Sequence, residues 1–224
     1  MCDCANDCPH FNVQTKDFAN GFIQRFEVDV LNKGGRAGAY GVVSFGDTAK
    51  TVSGLVGVAA AQAKIDALAY TGGYTNTQDA IAECRSVLSS SLPGEKKVML
   101  VFTDGTPTRD MNSADRDCGN HIAPGFATAG TGASDCRSGG RDYCKCAQAA
   151  QDEATAAKNT DGITIATIYV RPPAGVDSCS PSCYPAQDFL RDKIASPNQA
   201  SEAEWTNIDQ NVGDLADQIL AQLC

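Results

Sequence analysis

Gly72-Gly73-Tyr74-Thr75-Asn76-Thr77, followed further along by Val98-Met99-Leu100-Val101-Phe102-Thr103-Asp104-Gly105, decides the fold. The first stretch is a glycine turn that ends in hydroxyl side chains and opens a helix. The second is an apolar run of strand length that ends on a carboxylate. If both belong to one α/β sheet, a threonine hydroxyl and an aspartate arrive at the same rim, the carboxyl end of the strands, where such sheets bind ligands. Hydroxyl and carboxylate oxygens are the donors a hard divalent cation takes. Each residue also has a plainer reading. Asp104 with Gly105 can simply turn the chain, and Thr75 or Thr77 can cap the helix that follows. Thr77 is expected to be the cap and Thr75 the ligand candidate.

Outward from these stretches, helices and strands alternate. Phe11, Phe18, Phe22, Ile23 and Phe26 recur at helical spacing between Pro9 and Leu31, and Asn32-Lys33-Gly34-Gly35 ends that helix. Ala39 to Phe45 is a buried strand, Gly46-Asp47 a turn, and Ala49 to Leu55 a second strand. Helices follow over Val58 to Ala69 and Thr77 to Ser90, the latter with Ala80, Ile81, Cys84, Val87 and Leu88 facing inward. After the strand Lys97 to Phe102 comes a Gly-, Asp-, Ser- and Thr-rich stretch, Thr106 to Arg141, too long for an ordinary connection. The pattern then resumes: helix Asp142 to Asn159 with Ala147, Ala150, Ala154 and Ala157 on one face, strand Ile163 to Val170, helix Pro185 to Ala195, a short strand Trp205 to Ile208, and a last helix Gly213 to Leu223. Such alternation predicts a doubly wound, mostly parallel sheet with helices on both faces.

The chain has 224 residues, 42% of them hydrophobic, which is enough for one α/β domain with a proper core. A net charge of −9 disfavours nucleic acid and anionic membranes as partners. No run is long and apolar enough to insert in a bilayer. Eleven cysteines argue for an oxidising compartment and several disulfides, and the odd count leaves at least one thiol free or paired with another chain. Cys84, on an apolar helix face, is the first choice for that free thiol. Cys179 and Cys183 are placed to close a small loop, and Cys118, Cys136, Cys144 and Cys146 to staple the long insertion. Only His10 and His121 could join cysteines at zinc, and neither stands in a finger-like spacing.

Four stretches together resemble the von Willebrand factor A domain, the fold shared with integrin inserted domains. They are Tyr40 to Asp47, Gly72 to Ile81, Val98 to Gly105, and the closing run through Ile163 to Val170, Leu190 to Ser196 and Trp205 to Leu223. The resemblance implies a single domain over residues 1–224 with a Rossmann-like sheet, a Cys-rich insertion at about 106–141, and a metal-ion-dependent adhesion site (MIDAS). It assigns Thr75 and Asp104 as ligands of Mg²⁺ or Ca²⁺. The family's remaining ligands come from a D-x-S-x-S loop, whose nearest counterpart is Asp3-Cys4-Ala5-Asn6-Asp7. Asp3 keeps the leading acid, Ala5 cannot ligate, and Asp7 brings an extra carboxylate that favours Ca²⁺. As exposed acids in a cysteine-rich tail, Asp3 and Asp7 equally need no ligand role.

The family's central first strand should precede that loop, yet only Met1 and Cys2 do. The expectation is a truncated or atypical N-terminus, with strand donation by another segment as the other way to fill a gap of about 9–10 Å. Because termini in this family lie close together, Cys224 is expected to pair with Cys2, Cys4 or Cys8.

The function implied is an extracellular, secreted or cell-surface adhesion module that binds a protein or glycan partner, with self-association also open. Tyr74, Asn76, Thr106, Arg109 and Asp110 would face that partner. The alternative is a structural module of a matrix, wall or filament with a degenerate, metal-free site. Enzymatic activity is not expected. Phe102 to Thr106 is similar to a phosphatase D-x-D-G-T signature, but Phe102 stands where the attacking aspartate belongs. A Cys118–His121 pair would lie in a stapled loop.

Overall fold

A computed structural model describes residues 15–69, 74–103, 105, 107, 111, 137–138, 141–171, 186–204, 213, 216–217, 219 and 221. In chain order the elements are α1 (Lys16–Asn32), β1 (Tyr40–Phe45), β2 (Ala49–Val56), α2 (Val58–Asp66), α3 (Thr77–Ser89), β3 (Lys97–Thr103), β4 (Arg137–Ser138) and β5 (Arg141–Asp142). They continue with α4 (Tyr143–Asn159), β6 (Ile163–Arg171), α5 (Ala186–Phe189), a π-helical stretch Leu190–Ile194, and β7 (Ala200–Glu204). Positions 213, 216, 217, 219 and 221 are helical.

β6 lies between β3 and β7, parallel to both, with Lys97 opposite Ile163, Thr103 opposite Tyr169, and Arg171 opposite Glu204. Its apolar run Ile163-Thr164-Ile165-Ala166-Thr167-Ile168 suits a strand covered on both faces. On one face α4 lays Ala147, Ala150, Ala154 and Ala157, all fully buried, against Ile163 and Ile165. Side chains this small let a helix approach a sheet closely. On the other face α1 presents Phe18 and Phe22 to Ala166, Ile168 and Val170. α1 stops where Gly34 takes a φ of 75°, a conformation only glycine adopts at no steric cost.

β1 and β2 form an antiparallel hairpin, and among the described residues no ladder joins β1 to β3. The interruption falls where the resemblance puts the family's first strand. The two pieces are instead held together by helices on both sides. From α1, Ala19 and Ile23 reach the hairpin and α2, while Phe18 stacks on Phe102 of β3 with ring centroids 4.9 Å apart. A chain of rings runs on through Phe22 and Phe26 to an edge contact with Tyr40 of β1. On the opposite side α3 packs against β1 so closely that a Cβ on Gly41 would sit 2.5 Å from Val87 Cγ1. From the same helix, Ile81 joins Met99 and Val101.

Three elements differ from the sequence reading. Among the described residues the last strand is Ala200–Glu204, which the sequence reading lacked, and the strand expected over Trp205 to Ile208 lies outside the described residues. Ala200–Glu204 is an edge strand of small and acidic residues that buries only Ala203 deeply, so it has no apolar signature. Glu202 and Glu204 pair with Arg171 on the neighbouring strand. The helix after β2 ends at Asp66. The insertion runs into a two-residue ladder, β4 with β5, that draws in Arg141.

Cys84 is a free thiol, as its apolar face suggested. Cys146 is fully buried and disulfide-bonded. Cys2, Cys4, Cys8, Cys118, Cys136, Cys179, Cys183 and Cys224, and the side chain of Cys144, lie outside the described residues. Burial, with a smaller push from Glu83, raises the Cys84 thiol to about 12. An unfolded cysteine titrates near about 8.5. The stabilisation from keeping this thiol neutral is therefore complete below that value and is lost as pH rises from there towards 12. At pH 8, iodoacetamide is expected to modify Cys84 only in denaturant, read by peptide mass spectrometry. Equal rates with and without denaturant would contradict the burial.

Candidate metal centre

Thr75 sits in the short segment Tyr74-Thr75-Asn76 that leads into α3. That segment is pinned to the β1–β2 turn. The Tyr74 backbone N–H donates to Asp47 Oδ1 at 2.7 Å, the Asn76 backbone N–H to the Gly46 carbonyl at 3.0 Å, and Asn76 Nδ2 to the Asp47 carbonyl at 3.2 Å. Two residues beyond Asp47, at the start of β2, the Ala49 N–H donates to Asp79 Oδ2 at 2.5 Å.

β3 delivers its end to the same place. Thr103, its last residue, is buried, and the Gly105 N–H folds back to Thr103 Oγ1 at 3.3 Å. A Cβ built on Gly105 would lie 3.4 Å from Thr75 Oγ1. Gly105, two residues beyond the end of β3, therefore sits against the threonine hydroxyl. The turn after β1, which is bonded to Asn76, is at this end too, so β1 and β3 point the same way. Asp104 itself lies outside the described residues, as do Asp3, Asp7, Thr106, Arg109 and Asp110. Met111 marks where the insertion passes: its N–H donates to Gln78 Oε1 at 3.0 Å, in the first turn of α3.

The cap of α3 is a correction. Asn76, not Thr77, caps the helix, its Oδ1 accepting from the Asp79 N–H at 3.1 Å. The signal was present in the sequence, since asparagine ranks above threonine at that position. A second correction concerns the partner-facing set. Asn76 is only 1% exposed and has both ends of its amide engaged, so it cannot touch a partner. Thr77 is fully buried, and its Oγ1 makes no hydrogen bond. Asp47 was missed as a site residue because Gly46-Asp47 looks like any hairpin turn.

The donor chemistry at this rim fits an oxygen-ligated divalent cation. Thr75 supplies a neutral hydroxyl beside Gly105, and the sequence a carboxylate at 104. Among the described residues no group of three or more His, Cys, Asp and Glu could hold a metal. A cleft of about 280 Å³ lies at the opposite end of the sheet beside Lys97 and Ile163. Its Arg85 is already paired with Glu153 and Asp161, so the cleft has no free charge from that group to offer a ligand.

A family model described as von Willebrand factor type A domain matches residues 6–124. No curated protein sequence matches the chain. Several solved structures share its fold. The vWF domain of the type V pili tip protein Mfa5 from Porphyromonas gingivalis is 18% identical, with 96% of this chain and 90% of that chain covered and a TM-score of 0.62. Proximal thread matrix protein 1 from the mussel byssus, solved with a zinc occupied MIDAS motif, is 17% identical, with 97% and 42% covered and a TM-score of 0.57. The manganese-loaded TRAP protein of Plasmodium vivax is 15% identical, with 94% and 68% covered and a TM-score of 0.53. The chain thus spans less than half of the byssus protein, and identities this low speak for the fold alone.

Proposed function

Because the chain belongs to the von Willebrand factor type A domain family, we propose that it is an extracellular adhesion module that takes a protein or glycan partner through a divalent cation. Thr75 and Asp104 would hold Mg²⁺ or Ca²⁺, with Asp3 and Asp7 completing the protein ligands. A cation with few direct carboxylates keeps coordination positions for water or for an acidic group of the partner. Tyr74, Thr106, Arg109 and Asp110 would line the contact, and the insertion, anchored at Gln78 by Met111, would wall the site and set partner choice. The observation that carries this reading is Thr75 Oγ1 lying against Gly105, the residue after Asp104 in the sequence.

Eleven cysteines support an oxidising, extracellular setting. So does the company of a pilus tip domain and a byssus matrix protein among the structures of this fold. Among the described residues no helix is long and apolar enough to cross a membrane. The module acts by binding rather than by catalysis.

Thermal melting in Mg²⁺, Mn²⁺ or Ca²⁺ against EDTA tests the proposal. A cation at a hundred times its Kd adds about 2.7 kcal/mol, a rise in Tm of roughly 5–10 °C for a domain of this size. A Tm indifferent to all three cations would overturn the cation site and leave the structural, metal-free module as the better account.

A further inference from the structure

Thr75 is flanked on both sides by backbone N–H groups bonded to one turn. Tyr74 is held by the Asp47 carboxylate and Asn76 by the Gly46 carbonyl. Asn76 then joins that turn to the helix: Nδ2 donates to the Asp47 carbonyl, and Oδ1 accepts from the Asp79 N–H. The hydroxyl between these clamps faces Gly105.

We propose that Asp47 and Asn76 are positioning residues for the cation, latching the β1–β2 turn to the Thr75 segment so that the hydroxyl is held at coordinating height. The inference rests on the reading of Thr75 as a ligand. Asp47 acts as a hydrogen-bond acceptor, not as a charge. Asn76 acts through its reach to the turn, beyond its service as a helix cap. Groups that orient metal ligands from behind change metal affinity by about 10–100-fold when removed.

The test is Mn²⁺ titration by isothermal calorimetry on the whole chain, with the cation-free Tm measured in parallel. Asp47→Ala is expected to weaken Mn²⁺ at least about tenfold. Asp47→Asn keeps an oxygen to accept the Tyr74 N–H and is expected to bind like the parent. Asn76→Ser keeps a capping oxygen but cannot reach the Asp47 carbonyl. It is expected to weaken Mn²⁺ while holding its cation-free Tm near that of the parent. If the parent binds Mn²⁺ and Asp47→Ala binds equally well, the latch is overturned and the cation site stands. If Asp47→Asn is as weak as Asp47→Ala, the carboxylate acts through its charge and the latch is overturned. If the parent itself does not bind Mn²⁺, both the site and its positioning residues fall together.

Discussion

Asp104→Ala is expected to abolish the rise in Tm that a divalent cation gives the parent chain, while leaving the cation-free Tm in place. The substitution removes the carboxylate that follows β3 in the sequence, and the buried clusters that hold α1, α3 and α4 on the sheet are built from other residues. Losing an outer positioning group costs about 10–100-fold in metal affinity, and losing a direct anionic ligand is expected to cost more. A Mn²⁺ concentration that saturates the parent should then leave the variant almost empty. EDTA added to the parent should reproduce the variant's melting curve. A variant that keeps the parent's Mn²⁺ response would mean that position 104 only turns the chain.

The second large effect lies in the core. Phe18→Ala should destabilise the domain by about 3–5 kcal/mol, out of a total of about 5–15 kcal/mol for a protein of ordinary stability. Phe18 is 1% exposed, stacks on Phe102 of β3, and starts the line of rings that reaches Tyr40 of β1. With no ladder between β1 and β3 among the described residues, α1 carries much of the contact that an unbroken sheet would supply. The cavity left by Phe18 would therefore loosen the hairpin from the parallel strands as well as removing apolar contact. Urea unfolding should show the loss, and amide exchange should rise in β1 and β3 together. A cost within the roughly 0.5 kcal/mol of a surface substitution would contradict this role for α1.

Much of the fold was legible in the sequence because its strongest signals are periodic and buried. The four-residue spacing of Phe18, Phe22 and Phe26, the alanine face of α4, and the run from Ile163 to Val170 each answer to one geometry. The edge strand Ala200–Glu204 was not legible. Its partner covers only one edge, and ion pairs to Arg171 take the place of apolar contacts. That no ladder joins β1 to β3 among the described residues was suggested only by the family resemblance, since strand pairing leaves no local mark in β1 or β3.

At the candidate site, Thr75 was found from its place between a glycine turn and a helix. The burial of Asn76 was not, because an asparagine in a loop looks exposed until its two amide partners are known. Asp47 is similar: its importance comes from Tyr74, distant in sequence, and no spacing rule connects them.

The central claim, that Thr75 and Asp104 converge on one cation, is tested most directly by diffraction from crystals grown in Mn²⁺ and measured at the manganese absorption edge. The account predicts one anomalous peak at coordinating distance, about 2.0–2.6 Å, from both Thr75 Oγ1 and the Asp104 carboxylate. A peak bound elsewhere, or a Thr75 hydroxyl and an Asp104 carboxylate turned away from each other with no ion between them, would contradict it.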